Sequence, residues 1–257
     1  MAFGSAYKQQ KTVQPTTTAT IWMDLKEGLR TGRILGNDVH FKVVWLEDVR
    51  VKDGKGKRPF IVGVLDPDQG IFVGADGKHY AKNNPLIDWI NDQPEEIQKK
   101  VFPKQRFYVN FYDRTPVIKE DGVIYYPNSQ KKYAVSGNPE SNNQVMIIDQ
   151  SSGKVEGKHF FAVLLNAADL FMNVKTGKPI GLTETDINIL TKGTGNTTTR
   201  NVTAAFNQEP FTEDVKLYDL AGFAKPWPSE ALAEIMNDAD YNEVREKYNL
   251  PTTPQLM

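Results

Sequence analysis

The segment from Gln105 to Tyr112 alternates apolar side chains with aromatic and polar ones. This period of two predicts a β-strand whose successive side chains point to opposite faces. The apolar face would consist of Phe107, Val109 and Phe111, and the other face of Arg106, Tyr108, Asn110 and Tyr112. Rings that stack on planar groups, next to a cation that holds phosphate, suit single-stranded nucleic acid. The alternative is that Tyr108 and Tyr112 pack beneath a helix with satisfied hydroxyls.

Further basic and aromatic residues along the chain offer the same chemistry. Basic residues crowd the segment from Val49 to Arg58, where Gly54 and Gly56 favour a loop. The complete set of candidate nucleic-acid contacts is Arg33, Arg50, Lys57, Arg58, Tyr80, Lys82, Lys104, Arg106, Tyr108, Tyr112, Arg114, Lys192 and Arg200. A charged run is also typical of ordinary solvated surface, so the prediction depends on the chemistry that these residues share.

Signatures of common catalytic and cofactor sites are missing from the sequence. It has no P-loop, no dinucleotide-binding glycine fingerprint and no GxSxG elbow. It has no cysteine, and His40, His79 and His159 are too far apart in sequence to form a local metal site. We therefore expect no enzyme activity, no metal and no cofactor. A hydrolase that uses Asp113 and Asp149, which follow predicted strands, stays open as an alternative.

Charge is distributed unevenly along the 257 residues, although the formal net charge is −1. Residues 209–257 contain 10 acidic and 4 basic residues, so residues 1–208 hold the remaining 22 acidic and 27 basic ones. The asymmetry favours a polyanion-binding body with a separate acidic segment. Ordinary surface variation is the alternative.

Hydrophobic patterning predicts a mainly β fold with peripheral helices. Strands are predicted at 33–35, 39–44, 59–64, 105–112, 123–126, 145–148, 160–165, 186–191 and 200–206. Residues 36–38 would form a hairpin turn between the first two strands, and residues 193–199 a long hairpin loop between the last two. Helices are predicted over 85–100, interrupted at Pro94, and after Pro228 with Ser229 as N-cap. Uneven strand spacing and long charged connections favour a partly open Greek-key barrel.

No membrane-spanning run and no secretory signal are visible in the sequence. The N-terminal arm, residues 1–19, is polar and rich in threonine, which predicts flexibility. It lacks the apolar core of a secretory signal, and no apolar run approaches the ~18 residues of a membrane span. We expect a soluble intracellular protein.

The order of these features resembles a known family. A strand containing Trp22 leads through a Lys-Glu-Gly turn into Arg33-Ile-Leu, followed by a variable insert and the aromatic strand at 105–112. Residues 186–195, Asp-Ile-Asn-Ile-Leu-Thr-Lys-Gly-Thr-Gly, then precede a basic strand starting at Arg200. Over residues 20–225 the chain resembles the single-stranded-DNA-binding proteins of tailed phages. Members of that family contain an oligonucleotide/oligosaccharide-binding (OB) fold, a partly open five-stranded barrel.

The resemblance implies a groove that binds single-stranded DNA without base specificity, protecting it and destabilising helices during replication, recombination and repair. It implies an OB core at 20–225 with an insert at about 60–103. The charge and hydrophobic pattern of the chain itself predict an acidic helical segment at 226–257. The implied binding positions lie at 105–114 and 186–206, with Trp22 and Arg33 on the entry strands; Trp22 could equally belong to the core. The implied partners are single-stranded DNA, neighbouring copies along the strand and replication proteins, in the cytoplasm of an infected host cell.

Two departures from the family pattern affect these expectations. Some relatives bind zinc through cysteine and histidine in the insert, but this chain has no cysteine and His79 alone there, so zinc is not expected. Relatives commonly end in an acidic tail that recruits partners, whereas residues 250–257 carry no charged side chain.

The alternative function is that of a β-rich structural or assembly protein of a phage, without nucleic-acid activity.

Overall fold

The computed structural model describes residues 22, 23, 25, 28–46, 58–64, 71–116, 118–120, 123–125, 144–152, 159–193, 198–205, 210–252 and 256. The predicted N-terminal arm at 1–19, most of the basic loop at 50–58 and much of the hairpin loop at 193–199 lie outside these residues. No helix in the described ranges is long and apolar enough to cross a membrane.

Strands dominate the described part of the chain. They are β1 (Gly28–Leu46), β2 (Arg58–Val64), β3 (Phe72–Val73), β4 (His79–Tyr80), β5 (Lys104–Asp113), β6 (Ile118–Glu120), β7 (Val123–Tyr125), β8 (Gln144–Ser151), β9 (Ile187–Lys192) and β10 (Thr199–Ala204). The helices are α1 (Pro85–Asp92), α2 (Glu95–Val101), α3 (Phe160–Leu170), α4 (Leu220–Phe223), α5 (Ser229–Met236) and α6 (Tyr241–Lys247). The prediction of a mainly β fold is confirmed.

Six strands form one open antiparallel sheet in the order β10-β9-β1-β5-β8, and β2 also pairs with β1. The N-terminal part of β1 pairs with β9 and its C-terminal part pairs with β2, while β5 lies along the other side. The 19-residue β1 is therefore the central strand of the sheet. The predicted hairpin of β9 and β10 is confirmed.

The predicted hairpin turn at residues 36–38 is wrong, because β1 runs through them as one strand. Leu35 pairs with Asn110 and Val39 with Tyr108, so three residues of β1 lie opposite Val109 alone. Gly36 has a φ of +68°, which glycine adopts at little cost. A glycine with positive φ occurs both in hairpin turns and in β-bulges, and here it forms a bulge that bends the strand.

The strand predicted at 160–165 is also wrong, because these residues begin α3. An unbroken apolar run does not distinguish a buried strand from a buried helix. The helix buries Phe160, Leu164 and Ala167, which share one helical face and pack against the sheet. The break at Pro94 is confirmed, since that residue separates α1 from α2.

The sheet has a hydrophobic core on each face. One core packs Phe107, Val109 and Phe111 against α3. The other contains Phe41, Phe60 and Tyr108 together with residues of α1, α5 and α6. The C-terminal helices predicted after Pro228 are present and are integral to this second core.

The start of α5 differs in detail from the prediction. Its N-cap is Pro228, and Ser229 is the first residue of the helix. The Ser229 hydroxyl donates a hydrogen bond to the backbone carbonyl of Asn83. It therefore tethers α5 to the turn before α1 and does not cap its own helix.

Candidate nucleic-acid interface

The alternation predicted for β5 is correct, but both of its faces are buried. Phe107, Val109 and Phe111 belong to the core beneath α3. On the opposite face Tyr108 and Tyr112 are each only 7% exposed, and Asn110 is also buried. Both tyrosine rings are therefore packed, as the alternative expected, and the expectation of an open aromatic face along the whole strand is corrected.

The cover over the second face of β5 is a segment that we call the strap, residues 210–219. The Asn110 side chain donates to the backbone carbonyl of Tyr218 and accepts from the backbone N–H of Tyr218, both at 3.1 Å. The ring of Phe211 meets that of Tyr112 edge-on, with centroids 5.2 Å apart. The acidic C-terminal part of the chain thus occupies the surface where the sequence predicted nucleic acid.

A charged cluster anchors the strap at the end of β5. The Arg33 Nε donates to Asp186 Oδ1 at 2.8 Å, and Arg114 donates to both Asp186 Oδ2 and Glu213. Arg33 is 1% exposed, so the prediction that it contacts nucleic acid is wrong. Partial burial opposes ionisation of Glu213, but the Arg114 guanidinium holds its pKa below the usual value. Arg114 is therefore held by two carboxylates.

A cleft of about 370 Å³ opens at the other end of β5, between the sheet and the C-terminal segment. Seven aromatic side chains line it: Trp22, Phe41, Trp45, Tyr108, Phe223, Trp227 and Tyr241. Three basic side chains also line it: Arg106, Lys225 and Arg245. Three of the chain's four tryptophans are therefore in this cleft.

The aromatic rings of the cleft support one another. Trp22 is held at the edge of β8, since the N–H of Met23 donates to Ile147 O at 2.8 Å. The ring centroids of Trp22, Tyr108 and Phe223 are 5.5 to 5.8 Å apart. Tyr108 is buried beneath the half-buried Trp22 and Phe223. These two rings and Trp45 keep accessible surface that planar groups can contact.

The charged groups of the cleft differ in how they are paired. Arg106 Nε donates to Asp149 Oδ1 at 2.6 Å, and its Nη2 donates to the Asp149 carbonyl at 3.0 Å. Burial raises the pKa of Asp149, and the Arg106 guanidinium opposes that shift. Arg245 donates to Tyr241 and to the carbonyl of Leu250. Lys225 is exposed and has no ion-pair partner among the described residues.

The remaining predicted contacts are dispersed over the molecule. Tyr80 donates its hydroxyl to Asp76 at 2.6 Å, and Lys82 is exposed in the following turn. Lys104 is exposed, with its Nζ 5.7 Å from the centroid of the Phe102 ring. These residues do not line the cleft.

Lys192 and Arg200 also lie away from the cleft. Lys192 is exposed at the end of β9 and pairs with Thr199. The Arg200 guanidinium packs 5.7 Å from the centroid of the Phe160 ring, on the α3 side of the sheet, and burial lowers its pKa.

Of the predicted residues, the structure brings Arg106 and Tyr108 into the cleft. Arg50 and Lys57 lie outside the described residues, and Arg58 begins β2 next to the cleft residue Pro59.

Sequence analysis missed most of the residues that line the cleft. The omitted aromatic and basic ones are Phe41, Trp45, Phe223, Lys225, Trp227, Tyr241 and Arg245. A usable signal was present, because Phe223-Ala-Lys225-Pro-Trp227 places a cation between two aromatic residues. This pattern was overlooked because the C-terminal segment has an acidic net charge.

Comparison with known proteins identifies no family for the chain. No family model matches the sequence. A search of curated proteins finds no significant match.

Proposed function

We propose that this chain is a single-stranded-DNA-binding protein that holds unpaired bases in the aromatic cleft without strict sequence specificity. Its biological role would be to protect single strands and destabilise helices during phage replication, recombination and repair. The observation that carries the proposal is one cleft lined by seven aromatic and three basic side chains, in which the rings of Trp22, Trp45 and Phe223 keep accessible surface. Stacking on such rings typically contributes ~1–3 kcal/mol per base and tolerates any base.

The size of the cleft favours single strands. A volume of about 370 Å³ is within the range of sites that take a small organic molecule, so it is large enough for an unstacked base. Bases in a duplex are already stacked and paired, which makes their faces inaccessible to protein rings. An exposed Lys225 at the cleft would contact the backbone phosphates.

The strand ends that flank the predicted basic loop at 50–58 lie beside the cleft. The flanking residues Leu46 and Arg58 pair with each other, directly beside the pair formed by Trp45 and Pro59. Trp45 and Pro59 both line the cleft. The sequence between the two strands contains Arg50, Lys52, Lys55 and Lys57.

We also propose that the open sheet is a variant of the partly open OB barrel. The supporting feature is β1, which is long, bends at a bulge and pairs with β2 and β9 along successive parts of one side. One bent strand shared in this way can curve a sheet toward a barrel.

Fluorescence titration tests the proposed function directly. Because Trp22, Trp45 and Trp227 line the cleft and Trp89 does not, oligo-dT should quench most of the intrinsic tryptophan emission. The affinity should fall with salt at a log–log slope near −0.7 per phosphate neutralised. Trp45→Phe should reduce the quenching, whereas Trp89→Phe should leave it nearly unchanged. Equal or tighter binding of a duplex of the same length would contradict the proposal.

Charge removal at the cleft provides a second test. Lys225→Gln should weaken oligo-dT binding severalfold and reduce the salt slope by about 0.7, the value for one lost phosphate contact on a single strand. The matched control is Lys178→Gln, an exposed lysine on the turn after α3 that is not part of the cleft. Equal effects of the two substitutions would place phosphate binding elsewhere.

A further inference from the structure

An acidic side chain in the proposed DNA site requires an explanation. Among the described residues that line the cleft, Asp149 is the sole acid. Its carboxylate would repel the phosphates of any bound strand. Asp149 pairs in register with Tyr108 across β5 and β8, so the two side chains are neighbours on the same face of the sheet. The carboxylate is therefore placed next to the rings proposed to hold a base.

Some hydrogen-bond donors and acceptors of Asp149 and Arg106 are not used in the contact between the two side chains. Arg106 donates from Nε to Asp149 Oδ1 and from Nη2 to the backbone carbonyl of Asp149, which leaves one Nη2 hydrogen and both Nη1 hydrogens. Within the described part of the chain, Asp149 Oδ2 and Arg106 Nη1 make no hydrogen bond. An ionised carboxylate only accepts and a guanidinium only donates. The pair therefore offers one acceptor beside several donors at the cleft.

We propose that the Arg106–Asp149 pair contacts the Watson–Crick edge of a base held in the cleft and favours cytosine at that position. This inference rests on the proposed function. Cytosine presents an amine donor followed by two acceptors, which is complementary to one acceptor and two donors. It is the pattern that guanine offers to cytosine in a base pair. Carboxylates accept from the cytosine amine in known readout, and arginine donates to base acceptors.

Other bases match this pair less well. Uracil and thymine present a carbonyl where cytosine has its amine, so a carbonyl oxygen would face the carboxylate. Guanine presents donors to the donors of Arg106. Adenine has an amine and one ring acceptor, which satisfies the pattern in part. The pair would thus impose a base preference at one nucleotide, while the rest of the strand is bound through stacking and charge.

The test compares oligo-dC with oligo-dU of equal length, because the two bases differ only in the donor–acceptor pattern of this edge. At mildly alkaline pH, where cytosine is neutral, the protein should bind oligo-dC about tenfold more tightly, within the range of one good bidentate base contact. Asp149→Asn should bring the affinity ratio close to one, because an amide offers both a donor and an acceptor. The same substitution should raise the affinity for oligo-dU, since it removes a negative charge from the site.

The control is Asp169→Asn, an exposed acid on α3 outside the cleft, which should leave the ratio unchanged. Equal binding of oligo-dC and oligo-dU by the unmodified protein would overturn the inference and leave the proposed function standing. A preference that persists in Asp149→Asn would overturn it as well. Binding of neither oligonucleotide would overturn both proposals.

Discussion

Replacing Asp186 with alanine is expected to lower the free energy of unfolding by about 3–5 kcal/mol, the usual cost of leaving a buried charge without its partner. Arg33 is 1% exposed, and its Nε donates to Asp186 Oδ1 at 2.8 Å. Arg114 donates to the other oxygen of the same carboxylate. Loss of this one side chain removes counter-charge from two arginines, one of which cannot reach water.

Urea denaturation followed by circular dichroism measures this effect. Asp169→Ala is the matched control, because Asp169 is exposed on α3 and should change the unfolding free energy by less than about 0.5 kcal/mol. The cluster also anchors the strap through Arg114 and Glu213. A loss of less than about 1 kcal/mol for Asp186→Ala would show that the buried pair does not hold the fold in this way.

Replacing Tyr108 with alanine is expected to cost about 3–5 kcal/mol of stability, as is typical of large aromatic side chains in a core. The ring is 7% exposed and lies 4.3 Å from Phe41, 5.5 Å from Trp22 and 5.6 Å from Phe223, measured between centroids. Its removal would leave a cavity beneath the two half-buried rings. If Tyr108 were instead a freely exposed stacking platform, Tyr108→Ala would weaken DNA binding with almost no change in stability.

Tyr108→Phe separates the contribution of the ring from that of the hydroxyl. Burial raises the pKa of Tyr108 strongly, so its phenol stays neutral while the protein is folded. The phenylalanine variant keeps the ring contacts and should lose less than about 1.5 kcal/mol. Thermal melts and oligo-dT titrations of both variants provide the measurement. Comparable destabilisation by the two substitutions would mean that ring packing is not what Tyr108 contributes.

The C-terminal segment has a different role from the one that its charge suggested. Leu232, Ile235 and Val244 are buried in the core shared with β1 and β2. Phe223, Lys225 and Trp227 line the cleft. An acidic net charge therefore does not separate this segment from the proposed binding surface, because its aromatic and basic residues form one wall of the cleft.

The features that were predicted correctly depend on neighbours in sequence. The period of two in residues 105–112 predicts β5, and Pro94 separates two short helices because proline cannot continue a helix. The pairing of β9 with β10 follows from two strand patterns joined by a glycine-bearing loop. Side-chain alternation and the loss of a backbone donor are local properties, so the sequence by itself determined these elements.

Tertiary structure decided what local patterns left open. The Gly36 segment could form a turn or a bulge, and pairing of both halves of β1 with β5 selected the bulge. The run from Phe160 suited a strand or a helix until it packed against the sheet. The face carrying Tyr108 and Tyr112 was covered by residues about a hundred positions later in the chain. Burial depends on which distant segment packs over a surface, and no spacing within one strand encodes that. For the same reason the cleft, which joins Trp22, Trp45 and Phe223 from distant parts of the chain, became visible only in the folded molecule.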